Sequence, residues 1–307
     1  MNDIYLKHIN KQISILKKYN LEINDFEFIE YMLENENFYG ILNGYKKPFL
    51  ENNDLVKGKF ISKTTFENIY ALYEFDIELK AIFIKNLNKV ESTIKSIIYH
   101  VFYSYHGDNS PLKLSNFNSN AIDDPINLDF INKKILENLV SKTDILYYSN
   151  EYGIIPLWSI INILNFEELF KFYLLMKENE KEEVSNKIHC KLNKKEFKKY
   201  FNILIETKNI CFQNTTMYNF SSLYKLNFID IYSKFNYFPE SKSNVFTLII
   251  IFKILLSREN FKNMYRDILS QLDFLDNSLK NLRQEKMYEK ICEDFLGIPW
   301  DVDLLNV

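Results

Sequence analysis

"TTFENIYALYEFDIELKAIFIKNLNKVESTIKSIIYHVFYSYHG", residues 64–107, decides the fold of this chain. Apolar side chains recur three and four residues apart: Ile69, Leu72, Tyr73, Leu79, Phe83, Leu87, Val90, Ile94, Ile97 and Val101. That spacing lays them along one stripe of an α-helix. Thr64 and Glu67 open the stretch with capping-box spacing. Few globular helices are this long, so a kink or a change of packing partner is expected on the way. Asp76 and Glu91 fall on the apolar side. A buried carboxylate needs a partner, so each is expected to meet a cation or an amide from a facing helix. Such a contact serves either as an internal helix-to-helix bond or as part of a functional site.

The same periodicity extends in both directions. Residues 3–18 and 25–36 read as helices, with Asn24 as N-cap of the second, and "FYGILNGYKKPF" (38–49) reads as a break. The stretch 108–124 is a loop rich in Asn, Ser and Asp. Helices follow at about 128–141, 156–164, 166–177 and 193–213. Pro156 suits a first turn, and Asn165 with Glu168, like Asn193 with Glu196, has capping-box spacing. Residues 221–297 read as three or four more helices around "VFTLIIIFKILL" (245–256). The expectation is one all-α domain over 1–307, with 1–50 at most a loosely attached helical part.

Bulk composition limits the function. Gly and Pro number only six each among 307 residues, against tightly turned sheets, while 47% hydrophobic content supports a sizeable core. A net charge of −3 gives no global field toward nucleic acid, so any such surface is local. Three widely spaced cysteines without a CxxC pair point to a reducing compartment, with neither a disulfide frame nor a zinc site. The longest apolar run is too short to span a bilayer and contains Lys253. A soluble cytoplasmic protein without membrane or metal partners is expected.

Catalytic motifs are sparse. His8, His100, His106 and His189 form no HExxH, and no Gly-rich phosphate loop or GxSxG elbow occurs. Lys191, Lys194, Lys195, Lys198 and Lys199, in "KIHCKLNKKEFKK" (187–199), form the best phosphate-binding face, although most lysine runs are only solvated helix surface. The other unusual stretch is "KNICFQNTTMYNF" (208–220), which gathers uncharged polar groups beside one lysine. Polar helix ends of this kind are ordinary.

Five segments in order resemble the Abi family of bacterial abortive-infection proteins, the group containing AbiD and AbiF. They are "YGILNGYKKPF" (39–49), the long stretch at 64–100, "IPLWSIINILNFEELFKFYLLM" (155–176), 208–220, and "LGIPWDVDLL" (296–305). The resemblance implies a HEPN-like helical bundle in which an Arg-x4-6-His motif cleaves RNA without metal, usually at a dimer or paired-domain interface. Lys208 stands where the family has its arginine, Asn209 matches the asparagine after it, and Gln213 and Asn214 replace the two histidines. Ile41 replaces a further arginine. An amide cannot take a proton from a ribose hydroxyl or deliver one to a leaving oxygen. The resemblance therefore implies a degenerate site holding RNA through Lys208, Asn209, Gln213 and Asn214. Glu91 is expected beside the 205–214 helix end as the orienting carboxylate, and Tyr218 as a stacking or hydrogen-bonding contact. No cofactor is expected beyond a bound noncoding RNA, and a homodimer is the expected assembly. Two other readings stay open: a helical protein-interaction module, and an active ribonuclease recruiting His100 or His106.

Overall fold

The computed structural model describes residues 11–298 apart from 12, 54, 56–57, 108–111, 119–128, 142–146, 148–149, 152, 154, 191, 214, 225 and 227–242. Helices run α1 (Phe26–Asn35), α2 (Phe38–Tyr45), α3 (Phe66–His106), α4 (Asp129–Ser141), α5 (Leu157–Ile163), α6 (Phe166–Leu175), α7 (Glu178–Ile188), α8 (Lys194–Phe212), α9 (Val245–Leu255), α10 (Arg258–Ser278) and α11 (Met287–Lys290). Short 3₁₀ turns and a π-helix at Ile291–Leu296 complete them. Among the described residues no strand forms; the only β pairing is three isolated bridges. The all-α expectation holds.

α3 is the axis of the molecule. It continues unbroken for 41 residues, about 60 Å at 1.5 Å per residue. Its packing partner changes along its length, as its size requires. α2 packs at its start, α10 lies along it, and α7 meets its last turn. Because neighbours surround it on several sides, its buried face is wider than the expected stripe. Phe75, Ile82, Ile98 and Phe102 are buried too, while Tyr73 and Ile97 are only half-buried. Phe83 stacks on Phe252 of the apolar helix α9 at 5.5 Å. Each such side chain contributes about 1.5–3 kcal/mol by leaving water.

The start of α3 is capped one residue later than the spacing suggests. Thr65, not Thr64, is the N-cap: its hydroxyl accepts from Asn68 N, and Asn68 Oδ1 accepts from Thr65 N at 3.0 Å. The tertiary structure selects this register, because the Asn68 amide also donates to Ser278 O and Asn281 Oδ1 at the end of α10. Asp25, not Asn24, caps α1. The Asn165–Glu168 box at α6 forms with both reciprocal bonds.

Two helices depart from the expected pattern. The break at 38–49 is largely helical: α2 occupies Phe38–Tyr45 despite its glycines. A side chain at Gly40 would meet the Asn37 side chain, which accepts from the Gly40 N–H as N-cap, and would have to push that amide aside. α7, in a stretch given no element by the sequence pattern, has almost no apolar stripe. Its buried residues are Glu180, Val184 and Ser185.

The N-terminal segments are built into the same core. Phe38 stacks on Phe66 at 4.6 Å, Phe49 and Leu50 are buried, and Glu22 N donates to Thr64 O. No helix among the described residues is long and apolar enough to cross a membrane.

Candidate functional site

α3 and α8 cross where Glu91 faces Lys208. Lys208 Nζ lies 2.7 Å from Glu91 Oε2, and Lys95, one turn further along α3, lies 3.1 Å from Glu91 Oε1. One carboxylate thus bridges two ammonium groups, all three half-buried. Burial pushes the Glu91 carboxyl up, but hydrogen bonds and charge from Lys208 and Lys95 outweigh it and hold the carboxyl below the usual range. Lys208 also sits 5.5 Å above the Phe166 ring, and Lys95 donates to Asn162 O. Both cations are therefore positioned and not free to swing.

These three side chains form part of the lining of an open cleft of about 520 Å³. α3 adds Ser92, Ser96 and Tyr99 to its wall. α5 supplies Trp158 from the opposite side. The cleft therefore combines excess positive charge, hydroxyl groups and two aromatic side chains. Trp158 keeps 37% of its surface exposed.

The other positions singled out in the sequence disperse around this centre. Asn209 is exposed, and its amide donates to Glu167 at the start of α6. Gln213 is the exposed C-cap of α8, one turn beyond Asn209 and on the same side. Neither lines the cleft. Asn214 and Lys191 lie outside the described residues.

Tyr218 is a correction. It is 1% exposed, with its ring between Tyr45 and Phe295 and its hydroxyl donating to Gly44 O at 3.1 Å. Buried this way it cannot stack on a base. It was expected at the site because it follows the motif positions closely in sequence. Asp76 holds it inside. This carboxylate, fully buried, accepts from Tyr45 Oη (2.8 Å), Lys80 Nζ (3.0 Å), Met217 N (2.8 Å) and Tyr218 N. Of the two acids on the apolar side of α3, Asp76 pins the chain just after the 208–216 stretch, and Glu91 lines the open cleft.

The lysine face is partly neutralised. Lys194 pairs with Glu178 at 2.9 Å and Lys199 with Glu196 at 2.8 Å. Lys195 and Lys198 are exposed and have no acidic partner among the described residues.

His100 and His106 do not stand in for a missing base at the cleft. His106 is buried against Glu180, 2.7 Å away, and stands fifteen residues beyond Glu91, about 22 Å along the helix. His100, nine residues beyond Glu91, projects from the opposite side of α3. Burial pushes the Cys211 thiol up to about 12, so it is no nucleophile near neutral pH. Among the described residues no cluster of His, Cys, Asp and Glu could hold a metal ion.

Sequence reasoning missed the cleft because its walls come from α3, α5 and α8, far apart in the chain. Lys95 was within reach as the residue four beyond Glu91, and Trp158 as one of only two tryptophans.

Residues 31–219, well over half of the chain, match the family model described as Abi-like protein. The chain belongs to the Abi-like protein family, and that membership supports a role of the abortive-infection, phage-defence kind. Neither curated proteins nor solved structures gave a match.

Proposed function

We propose that this Abi-like protein acts in phage defence by holding RNA, without cutting it, at the cleft between Lys95, Lys208 and Trp158. In this reading the cleft is a HEPN-like site of the AbiD/AbiF kind that has lost its proton-transfer groups. The observation that carries the reading is the Lys208–Glu91–Lys95 bridge on the cleft wall. Two ammonium groups against one carboxylate leave one excess positive charge where an RNA phosphate can be met.

The same bridge argues against cleavage. A general base works best with a pKa near the operating pH, and Glu91 is held well below it by its two lysines. No histidine lines the cleft among the described residues. Losing a general acid or base typically costs about 10²–10⁴ in rate. Lysine at 208 keeps the charge of the family's arginine without its two-pronged grip on phosphate.

The RNA in this proposal is a structured or small noncoding RNA met in the cytoplasm, and two copies of the chain bind it together. Lys195 and Lys198 extend the contact across the face of α8. The absorbance ratio of the purified protein at 260 and 280 nm, followed by sequencing of co-purified nucleic acid, tests this directly. RNA enriched in particular species is the expected result. A protein free of nucleic acid that binds no RNA at low salt replaces the proposal with the protein-interaction module. Light scattering tests the assembly, with a dimer expected.

A further inference from the structure

We infer that the cleft takes one unpaired ribonucleotide, with its base against Trp158 and its phosphate between Lys95 and Lys208, so that the protein selects RNA with an exposed base over fully paired duplex. This rests on the RNA-binding reading above and names what that site recognises.

Three features carry it. The first is size: about 520 Å³ has room for one nucleotide and not for a helix. The second is the cations. Their tips lie 2.7 and 3.1 Å from the two oxygens of one carboxylate, so they bracket one small anionic group. A phosphate oxygen can share or displace Glu91 there, and a duplex would instead need charges spread along its backbone. The third is the aromatic wall. Trp158 and Tyr99 line the same cleft as the lysines, and Trp158, 37% exposed as a residue, brings an indole to its wall for stacking. Bases become available for stacking only where they are unpaired. Ser92 and Ser96 stand within the same cavity as hydrogen-bonding groups for a base edge or a ribose hydroxyl.

The chain has two tryptophans, so a Trp300→Phe background leaves Trp158 as the only indole reporter. In that background, a short unpaired oligoribonucleotide, a blunt hairpin duplex and a nucleoside monophosphate are titrated at low salt. The oligoribonucleotide is expected to quench Trp158 fluorescence saturably, and the duplex to bind more weakly without that quench. Quenching by the monophosphate shows that base and single phosphate suffice; its absence with retained quenching by the oligomer shows that the flanking chain is also needed. Both support a one-nucleotide seat, from two sources. By anisotropy, Trp158→Ala should weaken oligomer binding about 5- to 100-fold, and Trp158→Phe should restore most of it. Lys195→Ala with Lys198→Ala should raise the oligomer concentration needed while leaving the quench at saturation unchanged. Oligomer binding undiminished in Trp158→Ala, or duplex bound as tightly as the unpaired strand, overturns this inference and leaves RNA binding standing. Wild type that binds no RNA at all overturns both.

Discussion

Lys208 and Glu91, 117 residues apart in the chain, meet at 2.7 Å and join the motif helix α8 to the axial helix α3. Removing the carboxylate leaves Lys208 and Lys95 facing each other without their counter-charge. Glu91→Gln should cost roughly 1–3 kcal/mol, read as a lower urea midpoint with an unchanged m-value. The same variant removes the one anion among the described residues of the cleft, so its RNA affinity should rise while its stability falls. A variant that loses both contradicts the placement of Glu91 beside the RNA.

The pH dependence follows from the same pair. Glu91 is held below the usual carboxylate range in the folded protein, so its contribution is present above the unfolded pKa near 4.5 and is lost as pH falls through the lower folded value. Glu178, pulled down to about 2 by hydrogen bonds from Lys181 and Lys194, acts in the same direction but is largely exposed and counts for less. The gap in Tm between wild type and Glu91→Gln should therefore shrink between pH 5 and pH 3, as thermal melts across that range would show. A gap that widens on acidification contradicts the assignment.

Asp76 carries a different load. It receives four donors in a fully buried setting, tying Tyr45 and the Met217–Tyr218 turn to α3. Asp76→Ala strands Lys80 and two backbone N–H groups, and should cost about 3–5 kcal/mol. Amide exchange near 217–218 should speed up along with the loss of stability. Tyr45→Phe removes a single bond to Asp76, at Oδ2, and should cost only about 1–2 kcal/mol.

How far these features could be read beforehand depended on whether local signals agreed with tertiary demands. The Asn165–Glu168 cap was readable because nothing else competes for those side chains. The Thr64–Glu67 spacing was equally good locally, but Asn68 reaches the end of α10 and moved the cap by one. α2 was hidden by its two glycines, poor helix formers by propensity, and α7 by a sequence that buries only one apolar residue. The Glu91–Lys208 contact was legible because a carboxylate on an apolar stripe must find a partner. Tyr218 was misplaced because nearness in sequence to Lys208 says nothing of direction: Asp76 draws the backbone at 217–218 inward.

The lysine face should divide by partner. Lys195→Ala with Lys198→Ala removes exposed charges and should leave Tm unchanged while weakening RNA binding. If both touch phosphate, the slope of log affinity against log salt for a single strand should fall by about 1.4. Lys194→Ala with Lys199→Ala breaks ion pairs to Glu178 and Glu196, and should change stability by at most about 1 kcal/mol. Its effect on RNA binding should be the smaller of the two.

The most direct test is to incubate wild-type protein with end-labelled RNA in excess chelator at low salt and run each sample on native and denaturing gels. The account predicts a shifted band on the native gel and full-length RNA on the denaturing one, with the shift lost in Lys95→Ala, Lys208→Ala. Brisk metal-independent shortening of the RNA, or no shift at any protein concentration, would contradict it.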